Sequence, residues 1–123
     1  RLELGHAPAS AAQARAAVRE HVTDHLAGDP ALGALLDDAA LVASELVTNA
    51  VRHGRGPVVL TVLVVPREAG GDAEVVLGCS DGGRWRTHTP ADGGRGLPLV
   101  RTVSQSLDID TTGGTTVTAR LVR

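Results

Sequence analysis

Lysine is absent from this chain, and all 12 basic residues are Arg. A phosphate loop of the Walker type needs its Lys on the β- and γ-phosphates, so that mechanism is excluded. Any phosphate bound here has to be met by a metal ion, by backbone N–H groups or by Arg. Phe and Tyr are also absent and Trp85 is the single residue of the aromatic class, so the core must be assembled from Val, Leu, Ala and Ile. Cys79 stands alone, which rules out an internal disulfide framework and suits a reducing compartment. Its plain reading is a buried strand thiol. No stretch approaches the roughly 20 apolar residues of a membrane-crossing helix, and the first residues do not pass from a charged start into an apolar run. A net charge of −2 gives no general attraction to nucleic acid, which normally needs a clustered basic face. The expectation is a cytoplasmic protein with no membrane and no nucleic-acid partner.

What is present fits one unit spanning residues 1–123, long enough for one hydrophobic core and too short for two. A short strand is read near Leu2 to Leu4. Ser10 then suits an N-cap, and Ala14, Val18, Val22 and Leu26 recur every four residues as a narrow apolar stripe. Gly28 ends that helix, and Asp29-Pro30 supplies a cap and a first-turn proline for the next. Its buried side is Leu32, Leu35, Leu36, Ala39, Val42, Leu46 and Ala50, and Gly54 stops it. Val58 to Val65 is a β-branched run bounded by Pro57 and Pro66, read as a central strand. Gly70-Gly71 turns the chain into a second strand, Glu74 to Ser80. A helix from about Leu97 to Ser106 and a hairpin of Leu107 to Thr112 with Thr115 to Leu121 complete the order. Helices followed by a mainly antiparallel sheet predict a two-layer α/β sandwich with the helices on one sheet face.

Glu45-Leu46-Val47-Thr48-Asn49-Ala50-Val51-Arg52-His53 carries the densest chemistry. At 3.6 residues per turn, Glu45, Asn49 and His53 share one stripe at the edge of the apolar face. A carboxylate able to take a proton, one turn from an amide oxygen able to ligate a hard cation, suits metal-assisted phosphate chemistry. An amphipathic helix with a polar border is the plainer reading of the stripe by itself. Three further stretches follow in order: Ser80-Asp81-Gly82-Gly83 after an apolar run, Gly93-Gly94-Arg95-Gly96-Leu97-Pro98-Leu99-Val100 opening a helix, and Gly113-Gly114-Thr115-Thr116-Val117 starting a last strand.

That sequence of motifs resembles the Bergerat-type ATP-binding (GHKL) fold shared by DNA gyrase, histidine kinases and small bacterial anti-sigma factor kinases, and it is most similar to the anti-sigma factor or serine-protein kinase branch. The resemblance covers nearly the whole chain. It implies a mixed, mainly antiparallel sheet under about three helices, with ATP held between the layers beneath a lid, here Arg84 to Gly93. It further implies that Asn49 binds Mg²⁺ and that Glu45 orients or deprotonates the attacking group. Asp81 would accept from the adenine amine, although Asp-Gly is also a common turn signal. Gly83, with Gly82, would let backbone approach the ring. Gly94, Arg95 and Gly96, with Leu97 behind them, would present N–H groups and a positive helix end to phosphates. Thr115 and Thr116 would add contacts there, unless they serve only β propensity. Arg52 and His53 either touch phosphate or simply end their helix. His6, His21, His25 and His88 show no trusted metal spacing.

The implied activity is transfer of the ATP γ-phosphoryl to a Ser or Thr of an anti-sigma factor antagonist, in a protein that also meets a sigma factor and, as the family tends to, forms a homodimer. One departure is Trp85, where the adenine box usually has a later glycine. A nucleotide-binding module that sequesters a sigma factor without catalysis, and the catalytic fragment of a histidine kinase, stand as alternatives.

Overall fold

The computed structural model describes residues 2–5, 10–83 and 96–123, less the side chains of His53 and Leu97. Its elements are β1 (Leu2–Leu4), α1 (Ser10–Leu26), α2 (Leu32–His53), β2 (Val58–Val65), β3 (Glu74–Asp81), α3 (Gly96–Val103), β4 (Ser106–Asp110) and β5 (Thr115–Val122). The strands form one sheet in the order β1-β2-β3-β5-β4. Every described pair is antiparallel, so the mixed sheet of the sequence reading is antiparallel throughout its described part. The Val58–Val65 strand is not the central one. That place belongs to β3, flanked by β2 and β5. The β-branched run reflects burial on one face: Val58, Leu60 and Val64 are buried while Thr61, Leu63 and Val65 are exposed. Such alternation belongs to an antiparallel sheet with one solvated face.

The helices cover the other face. Ala14, Val18, Val22 and Leu26 of α1 are all buried, as their four-residue spacing requires. α2 buries a wider surface, adding Ala40, Ala43 and Val47 to the expected stripe, because it touches α1, α3 and the strands β2, β3 and β5. Leu32 and Leu36, near its start, are only partly covered. The resulting core is Val, Leu and Ala with Cys79, and every buried core residue is aliphatic or that thiol.

The helix starts differ from the sequence reading. Ser10 lies inside α1, and its hydroxyl donates to the Gly5 carbonyl at 2.5 Å, tying the helix start to the end of β1. α2 begins two residues after Pro30, since the Ala31 N–H donates to Asp29 Oδ1 at 2.8 Å and closes a local turn first. That bond, with Arg67 behind it, holds the Asp29 carboxyl below the usual range. At the far end α3 stops at Val103, and Ser106 already belongs to β4. Arg123 closes the layers: its guanidinium donates to Asp38 of α2 at 2.6 Å and to the Val103 carbonyl at 2.9 Å.

Leu77 is fully buried in β3, whereas Leu63 on the solvated face is 60% exposed. Leu77→Ala should therefore cost about 2–5 kcal/mol in urea unfolding, and Leu63→Ala less than about 1 kcal/mol. Equal losses at the two positions would contradict this layering.

Candidate functional site

Helix α2 carries Glu45 and Asn49 one turn apart, both half-buried, then the exposed Arg52 and, as its last residue, His53. The helix ends because Gly54 turns extended, at φ −86° and ψ 174°, while its N–H still reaches the Ala50 carbonyl at 2.8 Å. On the sheet, Val75, Leu77 and Cys79 of β3 point into the core. Two residues beyond Cys79, Asp81 continues that face, so its carboxylate turns toward the helix layer. The ends of α2 and β3 meet there.

The approach is tight enough to dictate residue type. A Cβ on Gly54 would lie 2.5 Å from Asp81 Cγ and 2.8 Å from Oδ1. On Gly83 it would lie 2.8 Å from the same oxygen and 2.9 Å from the Gly54 Cα. Gly114 has φ +120°, and a Cβ there would sit 2.5 Å from the Asp81 carbonyl oxygen. Hydrogen bonds close the cluster. The Gly82 N–H donates to the Arg55 carbonyl at 2.5 Å, and the Gly83 N–H to Asp81 Oδ1 at 2.6 Å. Thr115, paired with Asp81 across β3 and β5, is buried and donates its hydroxyl to the Gly83 carbonyl at 2.8 Å. Among the described residues no donor meets the second Asp81 oxygen. A half-buried carboxylate held through one oxygen keeps lone pairs with which to accept from a ligand N–H.

The structure thus brings Asp81, Gly83 and Thr115 together, with α2 delivering Glu45 and Asn49 toward the same junction. Thr116 is set apart: it pairs with Ser80 and Asp110, and strand alternation turns its exposed side chain to the face without helices. Gly96 and Leu97 open α3, whose first N–H groups suit an anion. Gly94, Arg95, Trp85 and the rest of the 84–93 lid lie outside the described residues. Gly54 and Gly114 belong to this site, although in the sequence Gly54 read only as a helix stop and Gly114 as part of the glycine-threonine motif on the phosphate side. The sequence signal available was their position directly after His53 and directly before Thr115.

For a divalent ion, the donor set is the Asn49 amide oxygen with Glu45 one turn back. Among the described residues no three His, Cys, Asp or Glu side chains gather into a cage. One amide oxygen beside a polyphosphate fits Mg²⁺, which keeps waters and takes phosphate oxygens. His21 and His25, with ring centroids 4.1 Å apart, are engaged with each other, and the His25 Nδ1 lies 2.9 Å from the His21 carbonyl. Among the described residues no helix is long and apolar enough to cross a membrane.

Beneath Asp81, burial and then the Asp81 charge push the Cys79 thiol up to about 12. Folding therefore favours the neutral thiol. That contribution is complete below the ordinary thiol value of 9.0 and is lost as pH rises toward about 12. Thiol reagents at pH 8 should label Cys79 only on unfolding, and Cys79→Ala should flatten the alkaline fall in stability. Rapid labelling of the folded protein would contradict the thiol's placement.

A glycine-framed carboxylate at the end of one strand, a Glu and Asn stripe on the adjoining helix, and a second helix opening beside a glycine run follow one another between Glu45 and Gly96. Residues 7–121 match the model of the histidine kinase-like ATPase domain, which points to ATP as ligand. The chain belongs to the histidine kinase-like ATPase domain family.

Proposed function

We propose that this domain binds ATP with Mg²⁺ and transfers the γ-phosphoryl group to a Ser or Thr of an anti-sigma factor antagonist, as a cytoplasmic protein kinase of the anti-sigma factor type. The observation that carries the reading is the junction at Gly54, where the helix bearing Glu45 and Asn49 ends against the Asp81 carboxylate. One compact site then offers a base acceptor and, along the same helix, a metal ligand and a general base.

Asp81 accepts from the exocyclic amine of adenine and disfavours guanine, which presents a carbonyl oxygen at that edge. Gly82 and Gly83 let the ring lie close to backbone. The N–H groups at the start of α3, with Gly94 and Arg95, and Arg52 and His53 at the end of α2, serve the phosphates. Asn49 holds Mg²⁺, which when bound neutralises phosphate charge. Glu45 orients the partner's hydroxyl and takes its proton as the oxygen attacks phosphorus in line, the bond to ADP breaking as the new ester forms. Trp85, in place of the family's later glycine, favours a second reading, in which nucleotide binding serves to sequester a sigma factor without transfer.

Glu45→Gln should leave ATP affinity within a few-fold and slow transfer by about 10²–10⁴. Asn49→Ala should weaken binding only when Mg²⁺ is present. The deciding experiment is incubation with ATP and candidate antagonist proteins, followed by mapping of the modified residue. Phosphorylated Ser or Thr supports the kinase, and unchanged transfer in Glu45→Gln would remove that residue's role. A stable complex without transfer supports sequestration, and labelled His or Asp a two-component role.

A further inference from the structure

Helix α3 offers its first N–H groups to phosphates but is held toward its other end. Among its described side chains Val100 alone is fully buried, Val103 is partly buried, and Pro98, Leu99, Arg101 and Thr102 are exposed. Packing at a pivot does not by itself fix the direction of a rod. At about 1.5 Å per residue, Gly96 stands roughly 10 Å from Val103, so a tilt of about 10° would move the first N–H groups by about 2 Å.

The second point of attachment is polar. The Val103 carbonyl, the last of α3, has no intrahelical donor to meet, and Arg123 Nη2 donates to it at 2.9 Å. The same nitrogen donates to Asp38 Oδ2 of α2 at 2.6 Å, and Nη1 donates to the Val122 carbonyl at 2.8 Å. The backbone of Arg123 is itself fixed. It exchanges N–H and C=O bonds with Ala73, both at 3.0 Å, and its carbonyl also accepts from Arg67 at 2.7 Å. One guanidinium anchored to the sheet therefore joins the end of α3 to the helix that carries Glu45 and Asn49.

We infer that Arg123 is a positioning residue for phosphate binding: with Asp38 it sets the tilt of α3 against α2, so that the N–H groups at Gly96 and the Asn49 amide address one polyphosphate. Capping alone does not call for Asp38. Any donor or cation at the helix end would satisfy the Val103 carbonyl, whereas the carboxylate ties that donor to a second helix. The two side chains are only 32% and 26% exposed, so salt screens them less than a surface pair. Asp81 is framed by Gly54, Gly83 and Gly114 and not by α3, so loosening the clamp separates phosphate binding from base binding.

The inference rests on the ATP reading, and its tests separate the two. ATP with Mg²⁺, and adenosine, which has no phosphate, are titrated by NMR into wild type, Arg123→Ala, Asp38→Ala and the double variant. Circular dichroism verifies the fold of each. Each single variant should bind ATP about tenfold more weakly, the scale of one lost hydrogen bond, with adenosine affinity unchanged. The double variant should lose no more than either single one, because both changes remove the same clamp. Equal weakening of ATP and adenosine would make the clamp merely structural. Additive losses would make the two residues independent, and unchanged ATP affinity would leave α3 fixed by packing. Each of these three results overturns the inference while leaving the ATP reading intact. Failure of wild type to bind ATP overturns both. A ligand-free readout stands beside these: residual dipolar couplings of the α3 amides report its axis relative to α2. Arg123→Ala should turn that axis while the strand couplings stay as in wild type, and an unturned axis would overturn the positioning role.

Discussion

The contact between the end of α2 and the Asp81 carboxylate sets the geometry on which the rest of the site depends. Gly54 can reach that carboxylate only because it has no Cβ, and Gly83 and Gly114 fill the remaining approaches under the same restriction. Three segments distant in sequence are thereby held at one point: the helix end, the turn after β3 and the start of β5. Any side chain added at Gly54 or Gly83 would move Asp81 relative to Glu45 and Asn49, because the protein interior is too closely packed to absorb the added atoms without a shift.

Packing elsewhere serves that contact. α2 is buried along much of its length against α1, α3 and the sheet, so its terminus is not free to slide. Arg123 ties the end of the sheet to α2 through Asp38 and to the α3 terminus through the Val103 carbonyl. Under the site, the neutral Cys79 thiol places no second negative charge beneath Asp81. The core achieves this rigidity with aliphatic side chains, whose branched shapes fit a one-faced sheet and a helix rich in alanine.

Much of this was legible in the sequence where the signal is periodic. The four-residue spacing of Ala14, Val18, Val22 and Leu26 fixed one buried face, and the alternating β runs gave five strands near their observed ends. Asp81 and the Glu45 and Asn49 stripe were visible as motifs. What could not be read was contact between segments far apart in sequence. The strand at Val58–Val65 looked central because composition reports burial of one face and is silent on neighbours. Gly54 looked like a helix stop because its closeness to Asp81 exists only after folding. Thr115 and Thr116 looked equivalent as neighbours in one motif, yet the pleat sends one toward the Gly83 carbonyl and the other to the opposite face. The start of α2 slipped because Asp29 bonds the Ala31 N–H in a turn before the helix begins.

The central claim is that adenine recognition at Asp81 and metal-phosphate binding along α2 form one site joined at Gly54. Its most direct test is a nitrogen-15 NMR titration of the protein with ATP and Mg²⁺. The amides of Asn49, Gly54, Asp81, Gly83 and Thr115 should shift together along one saturable curve, and GTP at the same concentrations should leave them in place. Shifts confined to other parts of the sheet, or no shift at saturating ATP, would contradict it.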